Sequence, residues 1–266
     1  IVNRERTLPQ TTTYPAPQVE PSLIPGTLSA SGYQTLLDCP YQFFAARCLG
    51  LAPPEAIREA LEKSDYGEKV HRCLEAFHQN VDGLPGPFKG KLNATRCDEA
   101  ISLLRQIAEA EFARDLEDNF LHRDWLQRWN QLIPEYINWQ IDRNELWQVN
   151  EVEQHAELSN LIEGITIRGR IDRIDEGDEV LSIIDYKTGA IPNQDDVLSG
   201  ESIQLPFYRL LASEQLVERV EYLSLNNEVK TRLILEGDEL QSLSQEVAGR
   251  LAELVQQLHN RNGLPA

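Results

Sequence analysis

The chain has 266 residues, of which 41% are hydrophobic and 26% charged, a composition typical of a soluble globular domain with its own core. No stretch approaches the run of about 20 apolar residues that a membrane helix needs, and the first residues lack the apolar core of a secretory signal. We therefore expect no membrane partner and a cytoplasmic location. Taken alone, the net charge of −18 argues against nucleic acid as the partner, because binding to a polyanion usually needs a basic footprint.

Helical patterns dominate the first half of the chain. Residues 1–27 are rich in Pro and Thr and predict a linker or extended arm before a single domain over residues 28–266. Residues 29–50 predict one or two short helices, since serine cap candidates precede helical spacing. A long helix is predicted at 55–80, where apolar residues recur with a period near 3.6, and helical spacing returns from about 98 to 147.

The period changes to alternation near residue 151. Three successive strands are predicted, VNEVEQHAEL, ITIRGRIDRID and EVLSIIDYKTG, and a hairpin turn at 175–178 joins the last two. Residues 201–214 predict a helix, VEYLSLN and VKTRLIL two more strands, and 237–260 a closing helix. This order indicates a mixed α/β domain in which helices flank a central, mostly antiparallel sheet.

Acidic and basic side chains end one of these strands. Alternation along LSIIDYK places Ile183, Asp185 and Lys187 on one face. Burying a carboxylate and an amine is costly unless they are paired or bind a metal. If the hairpin pairs the strands, Asp172 approaches Asp185, and a divalent cation would resolve the repulsion, with Mg²⁺ or Mn²⁺ favoured over zinc by the oxygen ligands. The alternative is a surface Asp–Lys pair plus a turn aspartate, because D-x-K alone is a short and common pattern.

The segments GRIDRID and IIDYKTG resemble the PD-(D/E)XK nuclease superfamily, specifically the RecB/AddB-like nuclease domains of helicase–nuclease complexes. Further matches are spread over most of residues 28–266: SASGYQTLLDCPYQFF, GEKVHRCLEAF, the Glu of NEVEQH, and QLPFY. The resemblance implies a restriction-endonuclease-like fold, with a central mixed sheet flanked by helices and an N-terminal helical portion. It also implies an exonuclease-type DNA phosphodiester hydrolase of recombinational repair, as the C-terminal domain of a helicase-like protein. The expected partners are single-stranded DNA or an unwound end and a helicase domain or subunit.

The resemblance also implies roles for individual residues. It assigns five groups to a Mg²⁺ or Mn²⁺ ion: His71, Glu153, Asp172, Asp185 and the backbone carbonyl of Tyr186. Lys187 would orient and help to deprotonate the attacking water, or stabilise charge on the phosphate. Gln204 and Tyr208, one helical turn apart, would steady the site and the DNA backbone.

Several of these residues allow other interpretations. His71, Glu75 and His78 form H-x₃-E-x₂-H, which an isolated zinc site could use, although such a pattern is more often a charged, solvated face. Glu153 lies in an acidic stretch, and Gln204 and Tyr208 also suit a helix surface and core. The alternative function is a catalytically idle nuclease-fold scaffold that binds DNA or partner subunits. The intact set of Asp172, Asp185 and Lys187 argues against that alternative.

Some members of the family hold a 4Fe–4S cluster with one Cys before the nuclease core and three after it. Cys39, in DCPYQFF, matches the first position, but no Cys follows residue 97. A cluster is therefore not expected in this chain, and Cys39 is predicted to be a small buried residue and a reduced thiol.

If DNA is the substrate, this acidic chain needs positive charge close to its active site. Charges act over about 8–10 Å at physiological salt, so local sign matters more than the total. Arg168, Arg170 and Arg173 are predicted to supply positive charge on the active-site hairpin. We expect weak intrinsic affinity for DNA, with a partner helicase delivering the strand.

Overall fold

A six-stranded mixed sheet lies between two layers of helices in the computed structural model. The structure describes residues 19–51, 63–116, 120–162, 164–212 and 216–260. One apolar core joins the sheet to helices from the two ends of the chain, and the second joins it to three long helices of the first half. The predicted class, a central mixed sheet flanked by helices with an N-terminal helical portion, is confirmed.

The folded part of the chain begins earlier than the predicted domain boundary. Val19 is buried in the first core, although residues 1–18 of the predicted arm lie outside the described residues. Strand β1 covers Thr27–Ser29, and Ser29 caps helix α1 (Ala30–Asp38) by accepting a hydrogen bond from the backbone N–H of Gly32. Helix α2 (Pro40–Phe43) follows and continues into a π-helical turn at Phe44–Cys48.

Three long helices form the second layer. They are α3 (Lys63–His78), α4 (Cys97–Leu116) and α5 (Phe120–Arg143). The predicted start of the first, at 55, lies outside the described residues. The predicted apolar stripe of α3 is buried in the second core: Tyr66, Val70, Cys73, Leu74 and Phe77. An amphipathic period of 3.6 residues therefore identified the face that packs against the sheet.

The second half of the chain follows the predicted order of strands and helices, with one additional short helix that was not predicted, Gln194–Leu198. It comprises β2 (Gln148–Ile162), β3 (Ile165–Glu176), β4 (Leu181–Lys187), α6 (Gln194–Leu198), α7 (Gln204–Leu211), β5 (Val217–Leu225), β6 (Val229–Glu236) and α8 (Gly237–His259). The helix predicted at 201–214 is shorter than expected. The pairings of β2 with β3, β3 with β4, and β5 with β6 are antiparallel, whereas β1 with β3 and β4 with β5 are parallel.

Strand β3 is the centre of the sheet and has three partners. β2 pairs along its whole length on one edge, so β1 and β4 share the other edge, β1 near its start and β4 near its end. The β3–β4 ladder ends at the pair Arg173↔Ile184. Continuing that register, Asp172 lies opposite Asp185 just beyond the last paired residues. The strands therefore separate at the two aspartates singled out in the sequence.

The hairpin turn falls two residues later than predicted. β3 continues through Asp175, and the turn occupies 177–180, where the Gly177 N–H donates to the Val180 carbonyl at 2.8 Å. Asp175 is fully buried and binds Arg173. The predicted surface role of Arg173 is wrong as well, because its side chain is fully buried on the side of the long helices. Asp175 and Arg173, the polar residues that suggested a turn and a basic surface, form a buried ion pair.

The four cysteines are free thiols, and Cys39 is half-buried rather than buried. Among the described residues, no helix combines the length and the apolar character that crossing a membrane requires.

Candidate active site

Three potential metal ligands converge from three different elements. His71 comes from α3, Glu153 from β2 and Asp172 from β3, and one ligand atom from each lies within 4.8 Å of the others. The Nδ1 atom of His71 lies 3.6 Å from Glu153 Oε1 and 3.5 Å from Asp172 Oδ1. The structure thus brings together three of the five groups that the sequence assigned to a metal.

Glu153 reaches this cluster through an unusual backbone conformation. Its φ is +52°, the left-handed region, which costs a residue with a Cβ about 1–2 kcal/mol. Its neighbours Val152 and Gln154 pair regularly with β3, so the distortion is confined to the residue opposite Asp172. The guanidinium of Arg170 holds Oε2 at 2.5 Å, while Oε1 is buried without a hydrogen bond. Strain of this kind concentrates at functional sites.

Tyr186 connects the ligands of the two strands through its backbone. Its N–H donates to Asp172 Oδ2 at 2.8 Å, at the point where the strand ladder has ended. Its carbonyl oxygen lies 3.2 Å from Nε2 of His71, and the two rings meet edge to face. The carbonyl that the resemblance assigned to the metal therefore contacts one ring nitrogen of His71, and the two carboxylates lie beside the other.

Asp185 lies outside the three-residue cluster and belongs to a second one. Its Oδ2 lies 2.7 Å from the ammonium of Lys187, and its Oδ1 accepts a hydrogen bond of 2.6 Å from Nε2 of Gln204. The Lys187 ammonium also donates to Oε1 of Gln204 at 2.7 Å, which closes a triangle. Nε2 of Gln204 contacts the hydroxyl of Tyr208 at 3.0 Å. Gln204 and Tyr208 thus share one helix face, as their spacing predicted.

Gly169 of β3 packs closely against helix α7. A Cβ at this position would lie 2.6 Å from the terminal methyl of Leu211 and 3.6 Å from the ring of Tyr208. A larger residue would therefore require the Leu211 side chain to move, while the contact with Tyr208 would be an ordinary van der Waals distance.

Burial and negative charge shift the pKa values of Asp185 and His71, one in each cluster. Burial raises the pKa of Asp185 to about 7, and the charge of Asp172 acts in the same direction, while Lys187 opposes it. Burial alone would lower the pKa of His71, but the carboxylates of Asp172 and Glu153 outweigh it and raise the pKa well above its usual value. A proton on His71 would thus compensate for part of the buried negative charge whenever no cation is bound.

The residues present fit a hard divalent cation. Two buried carboxylate oxygens, Glu153 Oε1 and Asp185 Oδ2, make no hydrogen bond, and a polar atom left in this way is costly unless an ion or water satisfies it. The contact of Asp185 Oδ2 with the Lys187 ammonium is short but not aligned as a hydrogen bond. A set of carboxylate and carbonyl oxygens with one imidazole suits Mg²⁺ or Mn²⁺.

The zinc site considered for α3 does not form. His78 contacts the hydroxyl of Tyr136 through Nε2 at 2.7 Å, and it is not among the potential ligands that lie together around His71. Burial and the nearby Arg173 hold the pKa of His78 well below its usual value. The Glu75 carboxylate accepts from the amide of Gln79 at 2.9 Å. The hypothesis of an isolated zinc site on this helix is therefore wrong.

A buried polar network behind the sheet was missed in the sequence. Arg143 binds the carboxylates of Asp175 and Glu221, each at 2.5 Å, and donates to Ser182 at 2.9 Å. Arg173 shares Asp175 with it. Charged residues at alternating positions within apolar strands were the only signal. Of the three arginines expected on the surface, Arg168 and Arg170 are exposed, but Arg170 is paired with Glu153.

The comparisons with known proteins agree with this geometry. The family model of the PD-(D/E)XK nuclease superfamily matches residues 27–263. An uncharacterized protein of Rickettsia conorii is 29% identical over 204 residues, 76% of this chain and 24% of that protein. One from Rickettsia felis is 30% identical over 193 residues, 71% of this chain and 22% of that protein. The chain thus spans about a quarter of the length of these relatives.

Two further similarities are shorter or more distant. One of the subunits of the ATP-dependent helicase/deoxyribonuclease of Carboxydothermus hydrogenoformans is 49% identical over 57 residues, 20% of this chain and 5% of that protein. A solved structure described as "Putative exonuclease" from Eubacterium rectale aligns with a TM-score of 0.47 at 11% identity, over 88% of this chain and 82% of the other.

Proposed function

Because this chain belongs to the PD-(D/E)XK nuclease superfamily, we propose that it is a metal-dependent DNA nuclease that uses Mg²⁺ or Mn²⁺. One observation carries the proposal. The strands β3 and β4 separate where Asp172 and Asp185 face each other, and a histidine, a glutamate, a lysine and a glutamine converge on that gap. Each of these groups has a place in the hydrolysis of a phosphodiester.

Five groups would hold the metal ion. They are the side chains of His71, Glu153, Asp172 and Asp185 and the carbonyl of Tyr186. His71 must release its proton to bind, since only the neutral imidazole is a ligand. A bound divalent ion lowers the pKa of water and screens negative charge that develops on the phosphate.

Lys187 and Gln204 would act on the substrate side of the site. The Lys187 ammonium donates to Gln204 Oε1 and forms an ion pair with Asp185, which favours a role in stabilising phosphate charge and orienting the attacking water over one as proton acceptor. Gln204 holds Lys187 and Asp185 at once, and Tyr208 holds Gln204, so this pair would keep the amine beside the metal ligand.

We further propose an exonuclease-type activity in recombinational repair, in the cytoplasm, on single-stranded DNA or an unwound end. The similarity to part of a helicase/deoxyribonuclease supports a helicase domain or subunit as partner. Relatives about three times as long as this chain have room for such a domain. A helicase that presents the strand would also overcome the electrostatic repulsion between DNA and a chain with a net charge of −18.

The test is degradation of a labelled single-stranded oligonucleotide with Mg²⁺ or Mn²⁺, comparing wild type with Asp185→Ala and Lys187→Ala. Asp178→Ala, on the exposed turn of the same hairpin, is the matched control. We expect metal-dependent degradation by wild type and the control, and loss of it in both site variants. Equal rates in all four proteins would show that the site is elsewhere. Binding without cleavage by wild type would favour the idle-scaffold alternative.

A further inference from the structure

The residues that follow the two facing aspartates meet on the opposite side of the sheet. Arg173 follows Asp172 and Tyr186 follows Asp185, and an Nη1 of Arg173 donates to the Tyr186 hydroxyl at 3.4 Å. This contact crosses from β3 to β4 where the ladder of backbone hydrogen bonds has ended. We call the contact between the two side chains the clasp.

Arg173 is a fixed anchor for the clasp. Its side chain is fully buried, and its guanidinium binds Asp175 with two hydrogen bonds of 2.6 and 3.0 Å. It also donates to Gln140 Oε1 at 2.5 Å and to the Tyr136 hydroxyl at 3.2 Å, both on helix α5. A planar guanidinium with this many partners has little freedom to move.

Tyr186 joins this anchor to the metal ligands. Its hydroxyl contacts Arg173, its N–H binds the Asp172 carboxylate and its carbonyl lies beside His71. Movement of the tyrosine ring would therefore shift the carbonyl and the hydrogen bond to Asp172 together. The side chain is buried, only 4% exposed, so the hydroxyl has no ready replacement from solvent.

We propose that Tyr186 and Arg173 are positioning residues that set the affinity of the site for its divalent cation. The clasp holds β3 and β4 at the separation that places Asp172, Asp185 and the carbonyl of Tyr186 around one ion. It takes the place of the backbone hydrogen bonds that end before this point. The inference rests on the proposed function, since it concerns the metal of that same site.

The first test is Tyr186→Phe, which removes the hydroxyl and keeps the ring and the backbone. Binding of Mn²⁺ is measured by electron paramagnetic resonance, in which free Mn²⁺ is quantified directly without DNA. We expect the affinity to fall on the order of tenfold, as for other groups that orient metal ligands.

The matched control is Tyr33→Phe. Tyr33 is also buried, and its hydroxyl donates to the Val247 carbonyl at 3.1 Å in the other core. It should lose a similar amount of thermal stability and keep the Mn²⁺ affinity of wild type. If Tyr186→Phe lowers thermal stability but binds Mn²⁺ as wild type does, the tyrosine has only a structural role and the inference is overturned.

Arg173→Lys provides a second, independent variant. Lysine keeps the charge beside Asp175 but lacks the guanidinium that reaches Asp175 and Tyr186 at once. We expect it to weaken Mn²⁺ binding too, and the loss in the double variant to be smaller than the sum of the two single losses, because the two changes share the clasp. Fully additive losses would overturn the inference. A wild-type protein that binds no Mn²⁺ would instead overturn the proposed function.

Discussion

Replacing Asp185 with asparagine should raise stability and abolish activity. The carboxylate is 2% exposed and faces Asp172, and its pKa rises from 3.8 to about 7. At about 1.4 kcal/mol per pKa unit, keeping this group charged costs the metal-free fold about 4 kcal/mol. Asparagine removes that cost but directs an amide N–H₂ at Lys187 or Gln204, both donors, for a loss of about 1–3 kcal/mol.

The net expectation for Asp185→Asn is a gain of about 1–3 kcal/mol, or a melting temperature higher by roughly 2–10 °C for a chain of this size. The measurement is thermal unfolding in EDTA at pH 8, with Asp178→Asn on the exposed turn as a control that should not move. DNA degradation should fall at least about 100-fold, since a metal ligand and its charge are lost.

The pH dependence of this gain follows from the direction of the shift. The folded protein binds the Asp185 proton more tightly than the unfolded chain does, so wild-type stability falls as pH rises from about 4 to about 7. Near pH 4, where wild type does not bear this cost, only the loss from the amide remains, so Asp185→Asn should melt below wild type; above pH 7 it should melt above wild type. A variant that melts below wild type in EDTA at pH 8, or that still degrades DNA at the wild-type rate, would refute this reasoning.

Three further outcomes are expected. Lys187→Met should lower the rate constant for DNA cleavage in single-turnover assays by about 10²–10⁴-fold, as for other groups that handle protons or charge at the reacting centre. An unchanged rate constant would exclude the role given to the amine. Glu153→Gly should leave the free energy of unfolding without metal within about 1 kcal/mol of wild type, because glycine tolerates the φ of +52°. The same variant should bind Mn²⁺ more weakly. Calorimetry measures the stability and titration the Mn²⁺ affinity, and unchanged Mn²⁺ binding would remove Glu153 from the ligands. Metal analysis should find no stoichiometric zinc that His78→Ala removes, because His78 is turned towards Tyr136; zinc lost in that variant would restore the abandoned site.

Local patterns were sufficient for most of the fold. The stripe on α3 is buried as predicted, because a helix in this layer packs against the sheet through one face. The alternation along β4 placed Asp185 and Lys187 together, and the structure has them 2.7 Å apart. Spacing also paired Gln204 with Tyr208.

Features that depend on distant partners were not predictable in the same way. The short strand β1 has three residues and exists because it pairs with β3, more than 130 positions later in the chain. Asp175 suggested a turn and Arg173 a basic surface, because both side chains are charged. Both are buried because they neutralise each other, and Asp175 also binds Arg143, which comes from helix α5.

By itself the sequence determined the order of the elements, the buried face of α3 and the identity of the acidic strand ends, because these depend on neighbours a few positions apart. Only the tertiary structure decided that His71 and Glu153 meet Asp172, whereas Asp185 engages Lys187 and Gln204. It also decided that β3 and β4 separate between these two groups. The physical reason is that buried charges and hydrogen-bonding groups pair with partners that the packing of separate elements brings within about 3 Å. Periodicity along one strand or helix contains no information about these partners.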